Sequence, residues 1–183
     1  MYASLFFTKG RVCGETNTVR VASFSVSDKS GIQEHREQLK QLFFNPGTKI
    51  PGLPFIGNKV ALFDKKVSKL YDFRIDQKDY MGQQSYVFAI TPREDLSSGE
   101  KNDIVIDEMT TWFNAKTLEI IGRNYSLSYK AGIFDFDVTM EVQLEKIEDM
   151  LVPKVLRYKG YWDMIFKKAE RAVFTATLLN FKK

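Results

Sequence analysis

The feature that most constrains the fold of this chain is a strict alternation of apolar and polar residues between positions 133 and 145. The apolar set is Phe134, Phe136, Val138, Met140, Val142 and Leu144, and every residue between them is polar. Because successive side chains of a β-strand point to opposite faces of its sheet, this pattern predicts a strand with one buried and one solvated face. Strands of this kind are typical of antiparallel sheets.

A hairpin is predicted at the dipeptide Ala131–Gly132, which separates this strand from an earlier alternating segment. A two-residue loop at that point sets the pairing as Tyr129 with Phe134, Leu127 with Phe136 and Tyr125 with Val138. These residues then share the apolar face with Met140. A slip by one residue would place phenylalanine against serine, so the pattern specifies which face each side chain occupies.

The next strand, predicted over residues 151–162, is expected to return along 133–147 through a loop at 148–150. If Ile147 and Leu151 form the first pair of this hairpin, Met140 lies opposite Tyr158 and Phe136 lies opposite Trp162 on the apolar face. On the polar face, Glu141 then lies opposite Arg157. The apolar face is therefore expected to continue from one strand to the next.

The chain as a whole is predicted to be one mainly antiparallel β domain (α+β) spanning residues 1–183, a length that suits a single domain. Further strands are predicted between Tyr71 and Pro92, with a turn at 79–82, and at 2–8, 18–27, 103–113, 118–130 and 172–181. A helix is predicted only over residues 31–44, where apolar residues recur at helical spacing. Ser30 and Gln33 have the spacing of a capping box at its start, and the sequence Asn-Pro-Gly at 45–47 ends it.

The segment 50–56 is apolar, although Pro51 and Pro54 exclude a helix or a central strand there. Its apolar residues are Ile50, Leu53, Phe55 and Ile56. Since loops normally lie on the surface and are polar, such a segment has to rest on other apolar surface. Two interpretations remain open: the segment packs into the core, or it covers the open side of the sheet and encloses an apolar cavity.

Residue counts and motifs exclude several classes of site. The chain has one histidine, His35, and one cysteine, Cys13, which rules out a three-histidine or cysteine-based metal site and an internal disulfide. It contains no phosphate-binding glycine loop and no nucleophile elbow. The net charge of +4 comes from scattered lysines and arginines rather than a basic stripe, and no apolar run approaches the ~18 residues of a membrane-spanning helix. We therefore expect no catalytic residues, metal, cofactor or nucleic-acid partner, and no membrane-spanning segment.

Residues 80–92 and 110–121 carry a resemblance to a known family. The first stretch is a small turn, an aromatic-aliphatic strand and a proline, and the second is a strand, a turn and a returning strand. Together with the sheet that ends at 151–162, they resemble the outer-membrane lipoprotein carrier family over about residues 70–162. The resemblance implies a strongly curved sheet or half-barrel, which holds acyl chains on its concave face beneath helices and loops.

The resemblance also implies a periplasmic or cell-envelope location, with a lipid, a lipoprotein or an envelope protein as partner. The chain starts directly in a predicted strand, without the basic and apolar regions of a signal peptide, so we expect it to be cut from a longer precursor.

The main functional hypothesis is a non-enzymatic carrier or sensor of lipid, lipoprotein acyl chains or another apolar ligand. The predicted ligand-binding residues are Ile50, Leu53, Phe55, Ile56, Tyr125, Leu127, Tyr129, Phe134, Phe136, Val138, Met140, Tyr158 and Trp162. The alternative is a structural or interaction module of a cell-envelope assembly, whose core is filled by its own side chains. An enzyme would need a pocket with convergent polar groups, for which the sequence offers no candidate set.

Overall fold

The computed structural model of the protein describes residues 47–49, 56–132, 134–148, 150–164 and 169–181. The chain separates into two compact units, residues 1–61 and 62–183. In the first unit, the backbone N–H groups of Lys59 and Val60 both donate to the carbonyl oxygen of Ile56, which forms a turn. The predicted strands at 2–8 and 18–27 and the predicted helix at 31–44 lie outside the described residues.

The second unit is a seven-stranded antiparallel sheet whose strands lie side by side in chain order. The strands are β1 (Tyr71–Tyr80), β2 (Gln83–Pro92), β3 (Ile106–Asn114), β4 (Ile120–Lys130), β5 (Phe134–Ile147), β6 (Met150–Met164) and β7 (Glu170–Thr177). Helical structure in this unit is limited to a 3-10 turn, Ser68–Leu70, and a short helix α1, Ser98–Lys101, among the described residues. The prediction of a mainly antiparallel β fold is confirmed, and the sheet is not closed into a barrel because β1 and β7 do not pair with each other.

The connection between β1 and β2 is a two-residue turn. Tyr80 pairs with Gln83, and the intervening Met81 and Gly82 both have positive φ angles, 52° and 77°. Positive φ at both central positions is typical of the type I′ turn, whose twist matches that of the flanking strands. The turn predicted at residues 79–82 is therefore confirmed.

The register predicted between β4 and β5 is wrong by two residues. Tyr129 pairs with Phe136, Leu127 with Val138 and Tyr125 with Met140. The turn is wider than predicted because Oδ1 of Asp135 accepts hydrogen bonds from the backbone N–H groups of Ala131 and Gly132, at 2.8 and 2.9 Å. A shift by two residues leaves every side chain on its predicted face, since the strand repeats every two residues.

The pairs predicted between β5 and β6 are confirmed, but the predicted loop is not. Met140 pairs with Tyr158, Phe136 with Trp162 and Glu141 with Arg157. The hairpin closes with Ile147 opposite Met150, one residue earlier than predicted. A β-bulge offsets this difference: Gln143 pairs with Val155 and Leu144 with Pro153, so Lys154 has no opposite residue. Proline, which lacks a backbone N–H, is often found at such bulges.

One face of the sheet carries an apolar residue in register on every strand. The row consists of Phe73, Ile90, Met109, Tyr125, Met140, Tyr158 and Phe174, in order from β1 to β7. We call this side of the sheet the apolar face and the other side the polar face. The core of the unit lies at the centre of the apolar face, where Ile90, Tyr125 and Met140 are at most 3% exposed.

Candidate functional site

The predicted ligand-binding residues of the sheet come together on the apolar face of β4, β5 and β6. Those with described side chains are Tyr125, Leu127, Tyr129, Phe136, Val138, Met140, Tyr158 and Trp162. Phe134 lies in β5, but its side chain is outside the described part, as are Ile50, Leu53 and Phe55. Ile56 belongs to the first unit and is fully buried. That residues 50–56 form a cover over the sheet stays a prediction.

The aromatic side chains on this face pack against one another. The rings of Phe136 and Trp162 are stacked with centroids 5.2 Å apart, and those of Tyr158 and Phe174 are stacked at 5.1 Å. Tyr158 lies directly over Gly160, where a Cβ would stand 2.1 Å from the tyrosine hydroxyl oxygen. The absence of a side chain at position 160 is therefore what lets this ring lie flat along β6.

The polar tips of these aromatic residues are paired within the face. The indole N–H of Trp162 donates to the hydroxyl oxygen of Tyr158 at 2.8 Å, and the hydroxyl of Tyr125 donates to the sulfur of Met140 at 2.7 Å. Burial raises the pKa of Tyr125 well above its ordinary value, and it also raises the pKa of Tyr158. Both hydroxyls therefore stay protonated at neutral pH and act as hydrogen-bonding groups only.

The apolar face is exposed at its β1 end. Ile75 is 73% exposed and Phe73 is 41% exposed. The ring of Phe73 contacts those of Phe63 and Phe88, with centroid distances of 6.3 and 6.1 Å. We call Phe63, Phe73, Ile75 and Phe88 the exposed aromatic end. None of these four residues is among the ligand-binding residues predicted from the sequence, although Phe73 and Ile75 alternate with charged residues in β1.

The polar face carries a cluster of buried polar atoms without partners. Tyr80 stacks on Trp112, with ring centroids 4.4 Å apart, and a Cβ at Gly122 would stand 2.6 Å from the Tyr80 hydroxyl. Within the described ranges, the Tyr80 hydroxyl, the Trp112 indole nitrogen and the Asn124 side-chain oxygen have no hydrogen-bond partner. An unpaired buried polar atom costs roughly 1–3 kcal/mol, so this cluster is a weakly stabilised part of the fold.

An open depression of about 540 Å³ lies near the start of the sheet, lined by Asp72 and residues 91–95. Arg93 donates two hydrogen bonds to Asp95 there, at 2.9 and 2.5 Å, and these bonds lower the pKa of Asp95. None of the predicted ligand-binding residues lines this depression. Its charged residues are exposed to solvent, so we do not regard it as the site of an apolar ligand.

No metal-binding arrangement and no membrane-spanning helix occur in the described part of the chain. There, histidine, cysteine, aspartate and glutamate side chains nowhere form a group of three that could hold a metal ion. Nor does any helix among these residues have the length and apolar character needed to cross a membrane. Comparisons of the chain with known protein families, with curated proteins and with solved structures found no match.

Proposed function

We propose that this protein is a non-enzymatic carrier or sensor that binds a lipid, a lipoprotein acyl chain or another apolar ligand on its apolar face. The observation that carries the proposal is the uninterrupted cross-strand row from Phe73 to Phe174, with one apolar residue on each of the seven strands. Sites for small ligands are mostly apolar, with few polar groups to fix orientation. A strong curvature of the sheet into a half-barrel would turn this face into the concave side.

Such a ligand would reach the apolar face from the exposed aromatic end. The centre of the face is buried, since Phe136 is 1% and Val138 0% exposed, whereas Ile75 on β1 is 73% exposed. Contiguous exposed apolar patches are uncommon on soluble proteins and mark sites of interaction. A ligand would therefore first contact Phe63, Phe73 and Ile75. The resemblance to lipoprotein carriers supports the same ligand class and, with it, a location in the periplasm or cell envelope.

The first experiment asks whether an apolar molecule copurifies with the protein. Native mass spectrometry of freshly purified protein, followed by organic extraction and lipid analysis, is expected to reveal a bound lipid. Binding of the neutral fluorescent probe N-phenyl-1-naphthylamine to the delipidated protein provides a second, independent measurement. If no lipid copurifies and the probe does not bind, the proposal is contradicted.

A matched pair of variants locates the binding surface. Ile75 and Val173 are both exposed β-branched residues, 73% and 75% exposed, and they lie on the outermost described strands but on opposite faces. Ile75→Ser is expected to weaken probe binding, while Val173→Ser leaves it unchanged. Both substitutions should change the free energy of unfolding by less than about 0.5 kcal/mol, since exposed positions tolerate such changes. Equal effects of the two variants on probe binding would place the ligand elsewhere.

A second candidate function is an interaction module whose core is filled by its own side chains. It is favoured by the hydrogen bonds of Trp162 to Tyr158 and of Tyr125 to Met140. Because these polar groups already bond within the protein, they are not needed to bind a ligand. In this case the exposed aromatic end would contact a protein partner instead of a lipid. Absence of copurified lipid and of probe binding would favour this candidate.

A further inference from the structure

One charged residue, Arg123, stands on the apolar face in the middle of the sheet. It lies in β4, directly opposite Thr111 of β3 and Val142 of β5, and two residues before Tyr125 on the same face. Thr111 is 3% and Val142 8% exposed, so its cross-strand neighbours are buried. The side chain of Arg123 is half-buried, and this burial lowers its pKa. Arginine nevertheless stays charged at neutral pH.

The positive charge of Arg123 has no carboxylate partner among the described residues. Its Nε donates one hydrogen bond, to the hydroxyl oxygen of Thr111 at 3.2 Å. Arg157 of β6, by contrast, lies on the polar face and forms an ion pair with Glu141 at 2.6 Å. Charges removed from water are normally paired, because burying an unpaired charge is strongly unfavourable. The guanidinium of Arg123 therefore has donor groups to offer to an anion.

We propose that Arg123 binds the anionic head of an amphipathic ligand, of the class of medium-chain fatty carboxylates, whose apolar tail lies along the apolar face. This inference rests on the proposed function and adds to it a specific contact for the polar head group of the ligand. The planar guanidinium matches a carboxylate with two parallel hydrogen bonds, and such charge-assisted bonds are stronger where water is partly excluded.

The position of Arg123 in the sheet suits a ligand that enters from the exposed aromatic end. The cross-strand row through Arg123 runs by way of Thr111 and Phe88 to Ile75. At ~4.8 Å between neighbouring strands, Ile75 and Arg123 are about 14 Å apart. An extended acyl chain of medium length spans this distance, with its head on Arg123 and its tail on the exposed aromatic end.

Two ligands of equal chain length and different head groups test this assignment. Sodium decanoate and 1-decanol are titrated into the delipidated protein and followed by displacement of N-phenyl-1-naphthylamine. Decanoate is expected to bind at least about tenfold more tightly than decanol, since a hydrogen bond to a charged group is worth that much or more. Arg123→Gln should abolish this preference, Arg123→Lys should restore part of it, and Arg157→Gln on the polar face should leave it unchanged.

The ionisation of the bound head group gives a second readout. With decanoate labelled with ¹³C at the carboxylate, the bound ligand should titrate at lower pH than the free ligand, because a neighbouring positive charge favours the ionised form. In Arg123→Gln this difference should disappear. The variant is expected to fold, since it removes an unpaired charge from a half-buried position.

The outcomes separate this inference from the proposed function. If decanoate and decanol bind equally well and Arg123→Gln changes neither, the carrier function stands and the role of Arg123 is refuted. If decanol and the neutral probe bind but decanoate does not, the anion site is refuted in the same way. If none of the three binds, both the carrier function and the inference fail.

Discussion

Replacing Gly160 by alanine should disrupt the aromatic packing at the centre of β6. A Cβ at this position would stand 2.1 Å from the hydroxyl oxygen of Tyr158 and 2.5 Å from the ring carbon that bears it. Both distances are far below van der Waals contact, so the ring of Tyr158 has to move. Its movement would break the hydrogen bond from Trp162 and the stacking with Phe174.

The expected cost is about 3 kcal/mol of unfolding free energy. Overpacking of a buried site costs roughly 1–3 kcal/mol, and a lost hydrogen bond about 1 kcal/mol. The lost aromatic pair adds roughly 0.5–1.5 kcal/mol. The reduced entropy of the unfolded chain with alanine in place of glycine offsets about 0.4–1 kcal/mol.

Urea unfolding monitored by circular dichroism measures this difference, and the slope of the transition is expected to stay unchanged. Gly99→Ala is the matched control: no heavy atom lies within 4 Å of the added Cβ, so its effect should be small. A double-mutant cycle with Tyr158→Ala identifies the cause, because Gly160→Ala should cost little once the ring is gone. Equal costs in both backgrounds, or a neutral Gly160→Ala, would refute the assigned packing.

Three further substitutions follow from the same geometry. Burial raises the pKa of Asp107 despite the hydrogen bond from Ser128, so the folded state holds this proton more tightly than the unfolded state and loses stability as the pH rises. Asp107→Asn should therefore raise the urea midpoint at about pH 7, and the gain should shrink towards about pH 4. Gly132→Ala should cost about 1 kcal/mol in the same assay, because Gly132 has a φ of 72° although the added Cβ has open space. Tyr80→Phe should leave the melting temperature unchanged or raise it, since it removes a buried hydroxyl without a partner. A clear drop would reveal a hidden partner.

The faces of the strands could be predicted from the sequence because alternation is a local property. The pattern from Phe134 to Leu144 assigned the residues of β5 to their faces. The pairs Met140–Tyr158 and Phe136–Trp162 were predicted from a loop one residue too long, and they are correct because the β-bulge at Lys154 offsets that difference. The register of β4 against β5 was not predictable in this way. It depends on a side chain, since the carboxylate of Asp135 binds the backbone of the turn and widens it.

Contacts between residues that are far apart in the chain also could not be predicted from the alternation of apolar and polar residues. That Thr111 and Val142 are the cross-strand neighbours of Arg123 follows only from the pairing of the strands. Alternation with Tyr125 and Leu127 does place Arg123 on the apolar face, but it does not show that its charge has no carboxylate partner among the described residues. The contact of Tyr80 with Trp112 and Gly122 is likewise a product of pairing through β2 and β3. The apolar face was thus predictable from the sequence, but the neighbours of Arg123 across the sheet were not.

The β-bulge in β6 makes one deletion tolerable where others are not. Lys154 has no opposite residue on β5, so removing it should restore regular pairing and keep Tyr158 and Trp162 on the apolar face. The cost should be about 1 kcal/mol, chiefly from the backbone hydrogen bond that Leu178 donates to the carbonyl oxygen of Lys154 at 2.9 Å. Its exposed ion pair with Glu145 adds little. Deletion of Lys159, by contrast, would shift the register by one residue and invert every side chain on one side of the gap. Urea unfolding should therefore stay cooperative without Lys154 and become non-cooperative without Lys159, and similar damage from both deletions would show that the bulge does not set the register.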